Sequence, residues 1–116
     1  MENSKTVVIL GGGSGGVVAA NTLRKTLPRE HRIILIDKES EHLFSPSLLW
    51  LMIDDRSPAE ISRPLKRLER KNIEVIHGEI RSIDPEKRTV SVNNKSVAAD
   101  ALIIALGVDY APLKIP

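Results

Sequence analysis

The chain has 116 residues, enough for one hydrophobic core and a single domain over residues 1–116, and 41% hydrophobic with 28% charged residues mark it as globular rather than disordered. Seventeen basic against fifteen acidic side chains leave a net charge of +2, too little to argue for nucleic acid as a partner. With no cysteine, a disulfide framework, a thiolate metal site and a redox-active thiol pair are excluded within these residues.

Met1-Glu2-Asn3-Ser4-Lys5 is polar and lacks the pattern of a signal peptide. The longest apolar run, residues 48–53, is far below the ~20 residues that span a bilayer, so the sequence predicts a soluble, cytoplasmic chain. Thr6-Val7-Val8-Ile9-Leu10 reads as a buried strand and runs into Gly11-Gly12-Gly13-Ser14-Gly15-Gly16. Behind the glycines, Val17, Val18, Ala20, Leu23 and Leu27 recur at helical spacing, Arg24 and Lys25 suit the helix C-terminus, and Pro28 stops it.

Gly11, Gly13 and Gly16 fit G-x-G-x-x-G in a strand-to-helix turn. Gly11 permits the tight turn, Gly13 lets a pyrophosphate approach the backbone, and Gly16 lets helix and strand pack closely. Ser14, Gly15 and Gly16 open the helix, where free N–H groups and the positive dipole end favour an anion. After a short polar loop, Arg32-Ile33-Ile34-Leu35-Ile36-Asp37 forms a second, parallel strand whose terminal Asp37 follows Gly16 at about the 20-residue separation expected of a ribose-binding carboxylate. Asp37 has a plainer reading as a polar residue closing the strand before Lys38-Glu39-Ser40-Glu41.

Residues 39–46 read as a loop, and Ser47 is placed to cap a short helix through Ile53. Ser57-Pro58-Ala59-Glu60 is a helix start with its cap, N1 proline and N3 glutamate in order. Pro64 interrupts, and Leu65 and Leu68 resume a helix whose basic residues Lys66, Arg67, Arg70 and Lys71 form a solvated face, with anionic lipid or nucleic acid as the alternative. Ile73-Glu74-Val75-Ile76-His77 is a third parallel strand. Residues 79–84, 89–92 and 95–98 are short β segments separated by Pro85-Glu86-Lys87 and Asn93-Asn94, a β-meander where a plain dehydrogenase would place a helix. Residues 101–107, Ala101-Leu102-Ile103-Ile104-Ala105-Leu106-Gly107, form a fourth buried strand ending in a glycine turn. His31, His42 and His77 are scattered, with no clustered carboxylates, and predict no metal site. Trp50 reads as a core or interface anchor.

Strand, glycine turn, helix, acidic strand end, meander, and an apolar strand ending in Ala105-Leu106-Gly107 resemble the FAD-binding half of the two-dinucleotide-binding-domain flavoproteins, the pyridine nucleotide-disulfide oxidoreductases. Leu106 stands where their Ala-Thr-Gly signature has threonine. Phe44-Ser45-Pro46-Ser47 with Trp50, and His77-Gly78-Glu79-Ile80 leading to Ile83-Asp84, look most like the sulfide:quinone oxidoreductase and type II NADH dehydrogenase branch. The resemblance implies an α/β, Rossmann-like FAD/NAD(P)-binding domain: a parallel sheet with a β-meander crossover, three layers in all (ββα). It also implies that Gly11, Gly13, Ser14, Gly15 and Gly16 cradle the FAD pyrophosphate and that Asp37 holds the ribose with Lys38 beside the adenosine. Ile80 would meet the adenine, Ala105 and Gly107 would pass close to the nucleotide, and Pro46 would run toward the isoalloxazine. Ile80 would be buried in any case, and Pro46 has a plain role in shaping its loop.

Two functions follow. The first is the FAD-binding portion of a flavin-dependent oxidoreductase moving electrons from sulfide or NADH to quinone, with no catalytic residue of its own here. The second is a stand-alone NAD(H) or adenine-nucleotide module without turnover. The second dinucleotide-binding domain of the resembled family, its returning segment and its C-terminal membrane-contacting region find no counterpart here. The chain is therefore expected to be an incomplete N-terminal fragment, inactive alone, holding FAD mainly by its ADP half, with a parent peripheral on the membrane and able to form a homodimer.

Overall fold

The computed structural model describes residues 4–43 and 48–108, without the side chains of Leu49 and Trp50. Phe44-Ser45-Pro46-Ser47, and with it the Pro46 assignment and the Ser47 cap, lies outside the described residues, as do the Trp50 side chain and residues 109–116. The elements in order are β1 (Thr6–Leu10), α1 (Ser14–Thr26), β2 (Arg32–Asp37), β3 (Glu41–Leu43), α2 (Leu48–Met52), α3 (Pro58–Ile61) and β4 (Ser62–Pro64). A 3-10 helix (Leu65–Lys71), β5 (Glu74–His77), β6 (Ile80–Asp84), β7 (Thr89–Val92), β8 (Lys95–Ala98) and β9 (Ala101–Ile104) follow.

β1 and β2 are apolar at almost every position, so both faces of the sheet they form must be covered. The sheet has the order β5-β2-β1-β9 and is parallel throughout. On one face Ile9, Ile33, Leu35 and Val75 pack with Ala20 of α1, Leu65 of the 3-10 helix and Ile73. On the other, Val8, Leu10, Ile34 and Ile36 meet Val90 and Val92 of the antiparallel sheet β6-β7-β8. Successive residues of one strand thus serve opposite cores, and the meander is the third layer, in agreement with the α/β expectation. The hairpin between β7 and β8 turns on Asn93 and Asn94, both with positive φ (50° and 59°), the backbone that a two-residue hairpin demands.

The connection after α1 is tied down by one side chain. Arg24 donates from Nη1 to the carbonyls of His31 (3.0 Å) and Asn72 (3.2 Å) and from Nη2 to that of Pro28 (2.8 Å). Its planar fork therefore fastens the helix C-terminus, the entry to β2 and the end of the 3-10 helix together. At α3 the predicted start is present: the Ser57 N–H donates to Glu60 Oε1 at 3.2 Å.

Four expectations are corrected. Residues 41–43 form a strand rather than a loop, because β3 pairs antiparallel with β4 some twenty residues later, His42 opposite Arg63. The segment after Pro64 is a 3-10 helix, ended by Asn72 in the left-handed region (φ 65°). Val18 is 63% exposed because α1 turns Val17, Ala20 and Leu23 to the sheet instead. β9 is not fully buried: among the described residues it is an edge strand paired only with β1, and Ala101 is exposed and Ile104 61% exposed.

Candidate nucleotide-binding site

The C-terminal ends of β1, β2 and β9 converge on the glycine turn, and the three motif glycines have different tasks there. Gly11 has φ +109°, and a Cβ on it would come within 2.1 Å of the Ala105 carbonyl oxygen. Its N–H donates to Ile36 O (2.8 Å) while the Ala105 N–H donates to Leu10 O (2.8 Å), so the turn is stitched to both neighbouring strands. A Cβ on Gly16 would lie 1.7 Å from the Gly11 carbonyl oxygen; this glycine is buried and lets α1 close onto β1. Gly13 differs from both. Its backbone is ordinary (φ −76°, ψ −167°), and a Cβ there would meet nothing within 4 Å. Among the described residues nothing requires glycine at 13, and the space beside it is open.

The N-terminus of α1 is open. Gly13 supplies the cap position without a capping side chain, no acidic residue occupies the first turn, and the first helical bond is Val17 N–H to Gly13 O (3.0 Å). The N–H groups of Ser14, Gly15 and Gly16 therefore have no acceptor among the described residues. Gly13, Ser14 and Gly15 are exposed. A helix of 13 residues with bare N–H groups and no acidic residue in its own first turn attracts an anion, while the carboxylates of Asp37 and Glu39 line the cavity at that end.

Two cavities meet at this turn. One, of about 440 Å³, is lined by Gly13, Ser14, Gly15, Glu39, Ala105 and Gly107 together with Gly11, Asp37, Lys38 and Leu106. The other, of about 430 Å³, shares Gly11, Asp37, Lys38 and Leu106 and extends to Ile80 and Ile83 on β6. The four shared residues join them into one groove running from the helix terminus to the meander. The predicted residues are gathered there, except Gly16, which lies beneath as packing, and Pro46, which is outside the described residues.

Asp37 is more occupied than its sequence position suggests. Oδ2 accepts the Gly12 N–H (2.5 Å) and Oδ1 accepts the Glu39 N–H (2.7 Å). The side chain organises the turn, and each carboxylate oxygen keeps a further lone pair. Sequence reasoning passed over several neighbours. Gly12 stands at a variable position of the motif, yet a Cβ there would meet Leu65 Cδ1 at 2.6 Å. Leu106, noted only as a departure from a signature, lines both cavities. His42 Nδ1 bonds the Gly12 carbonyl (2.9 Å) and His77 Nε2 that of Lys38 (2.8 Å); histidines considered only as metal ligands are here fasteners of the turn. Among the described residues no group of three or more His, Cys, Asp or Glu could hold a metal ion, and no helix is long and apolar enough to cross a membrane.

Over residues 5–116 the chain matches the pyridine nucleotide-disulphide oxidoreductase family. It is 39% identical over 106 residues to a sulfide-quinone reductase of Aquifex aeolicus, covering 90% of this chain and 24% of that protein. To the type II NADH:quinone oxidoreductase NdhA of Mycobacterium tuberculosis it is 35% identical over 108 residues, covering 87% of this chain and 22% of that protein. The crystal structure of the sulfide:quinone oxidoreductase from Aquifex aeolicus superposes with a TM-score of 0.87 at 36% identity, over 93% of this chain and 25% of the other. The chain spans about a quarter of the length of these relatives.

Proposed function

Since the chain belongs to the pyridine nucleotide-disulphide oxidoreductase family, we propose that it forms the FAD-binding part of a flavin-dependent oxidoreductase that passes electrons from sulfide or NADH to a quinone. The donors and acceptor are those in the names of its relatives. The observation that carries the reading is the groove itself: bare helix N–H groups beside an open Gly13 at one end, a cavity against the meander at the other where Ile80 and Ile83 stand among Glu79, Arg81 and Ser82, and Asp37 between them.

The groove suits the ADP half of FAD in order. Ser14 and Gly15 would hold the diphosphate through backbone N–H groups, with charge-assisted bonds that need no basic side chain. Asp37 would accept the ribose hydroxyls, and Ile80 and Ile83 would flank the adenine. The flavin, when bound, supplies the redox chemistry; the residues of the groove would bind and orient it. Asp37 also makes the site selective, because a carboxylate at the ribose repels a phosphate on it.

The test is to saturate the purified chain with FAD, pass it through gel filtration and record the flavin spectrum, with calorimetry of ADP, FAD and NADH alongside. Co-elution of flavin, with ADP binding in the same site, is expected. Failure of both ADP and FAD to bind overturns the reading, and tight NADH binding without FAD assigns the groove to a nicotinamide nucleotide instead.

A further inference from the structure

We propose that His42 is a positioning residue for the diphosphate end of the groove: by holding the Gly12 carbonyl it fixes the peptide that presents the Gly13 N–H. The inference rests on the nucleotide reading above and adds to it a residue that the glycine motif does not contain.

β3 is three residues long and places Glu41 and Leu43 in solvent, so its one half-buried side chain is His42. The strand is held against β4, with His42 opposite Arg63, and its approach is pinned by the Leu65 N–H donating to Ser40 O (2.9 Å). From that support His42 reaches the Gly12 carbonyl, Nδ1 to oxygen 2.9 Å. A carbonyl oxygen can only accept, so Nδ1 carries the hydrogen, and this assigns the tautomer when the ring is neutral. The N–H of the same glycine is held by Asp37 Oδ2. Both backbone groups of Gly12 are therefore bound to side chains, one from the end of β2 and one from β3.

The consequence falls on the next residue. The described peptides include no cis bond, and across a trans peptide the C=O and the following N–H point in opposite directions. With the Gly12 oxygen turned to His42, the Gly13 N–H faces away from β3, and it has no acceptor among the described residues. A peptide between two glycines flips at little steric cost. A flipped Gly12–Gly13 peptide would present a carbonyl oxygen where the N–H now stands, and an oxygen there repels a diphosphate. The His42 bond holds the peptide in the favourable sense, and a hydrogen bond of this kind is sufficient to bias a choice between two otherwise similar backbone states.

The experiment uses the full chain with ADP as the probe and compares His42→Leu with His42→Asn, whose amide nitrogen can donate from nearly the same place as Nδ1. ADP affinity is measured by calorimetry, and the Gly13 amide is followed by its nitrogen-proton chemical shift. His42→Leu should weaken ADP by about tenfold, the effect of one net hydrogen bond, and displace the Gly13 resonance. His42→Asn should restore both. Wild-type ADP affinity in folded His42→Leu, or an Asn variant as weak as the Leu variant, overturns the proposal. If His42→Leu does not fold, His42→Ala takes its place under the same criteria. Should the wild-type chain not bind ADP, the functional reading fails separately, and the Gly13 resonance decides: shifted in Leu and restored in Asn supports the clamp, unmoved in both overturns it.

Discussion

Adding one methyl group at Gly13 and at Gly16 should give opposite results, and the difference can be worked from the structure. At Gly16 helix propensity alone favours alanine by about 1 kcal/mol. The added Cβ, however, would stand 1.7 Å from the Gly11 carbonyl oxygen, and relieving that overlap means parting α1 from the turn. Overpacking of this kind costs about 1–3 kcal/mol or more, so Gly16→Ala should be destabilised on balance despite its better propensity. Gly13→Ala meets nothing within 4 Å and keeps a backbone that any residue adopts. Its stability should change by no more than about 1 kcal/mol, because the smaller entropy of the unfolded chain is opposed by the poorer capping of alanine at the N-cap. The methyl group would stand in the open space beside the bare helix N–H groups, so ADP affinity should fall by about tenfold or more, which is about 1.4 kcal/mol or more. Urea unfolding and ADP calorimetry on both variants read the two effects independently. Gly13→Ala binding ADP as tightly as wild type would refute the phosphate-cradle reasoning; Gly16→Ala at wild-type stability would refute the packing argument.

Asp37→Ala removes the acceptor of two backbone N–H groups as well as the proposed ribose partner. It should weaken ADP by about 1.5–3 kcal/mol and inorganic phosphate by a smaller but measurable amount through the loosened turn; equal losses by calorimetry would remove the ribose role. At the opposite end of the sheet, Arg32 Nε and Nη2 donate to both carboxylate oxygens of Glu74 (2.9 and 2.8 Å). That hydrogen bonding holds the Glu74 carboxyl below its ordinary value, against a smaller opposing effect of burial. A depressed folded-state value means stability present at neutral pH and lost as pH falls through the acid range. With both side chains about half exposed, the pair contributes under about 1 kcal/mol. Glu74→Gln should cost that much in urea melts at pH 7 and nothing at about pH 3, and a deficit unchanged between the two pH values would contradict it.

The features legible in the sequence are those that neighbouring residues encode together. The run Val7-Val8-Ile9-Leu10 into glycines, the helix behind them and the strand ending at Asp37 are local patterns, and each is present in the fold. So is the meander, because Asn93-Asn94 accept left-handed backbone and Pro85-Glu86-Lys87 break the chain between alternating strands. The losses involve partners distant in sequence. β3 exists because β4 lies beside it, and Glu41-His42-Leu43 carries no strand signal of its own. The openness of β9 follows from its place at the sheet edge, whereas its composition, Ala101-Leu102-Ile103-Ile104, is that of a covered strand. Spacing placed Asp37 near the turn but could not reveal that it accepts the Gly12 N–H, nor that His42 holds the other side of that residue. Those bonds depend on how the loops fold back.

The end of the groove proposed to take the adenosine is a seam between layers. Asp37 and Lys38 belong to the parallel sheet and the turn that leaves it, Ile80 and Ile83 to the meander, and the cavity exists only while the two are docked. A ligand lodged there resists the separation of the layers, since any opening that lifts the meander destroys the site and the binding free energy with it. The coupling is reciprocal: Val90 and Val92, buried between the sheets and absent from the cavity wall, would govern affinity for a nucleotide bound there without lining its cavity. Truncating either would look in a binding assay like a damaged active site, although the lesion would be in the joint that keeps the two halves of the pocket facing each other.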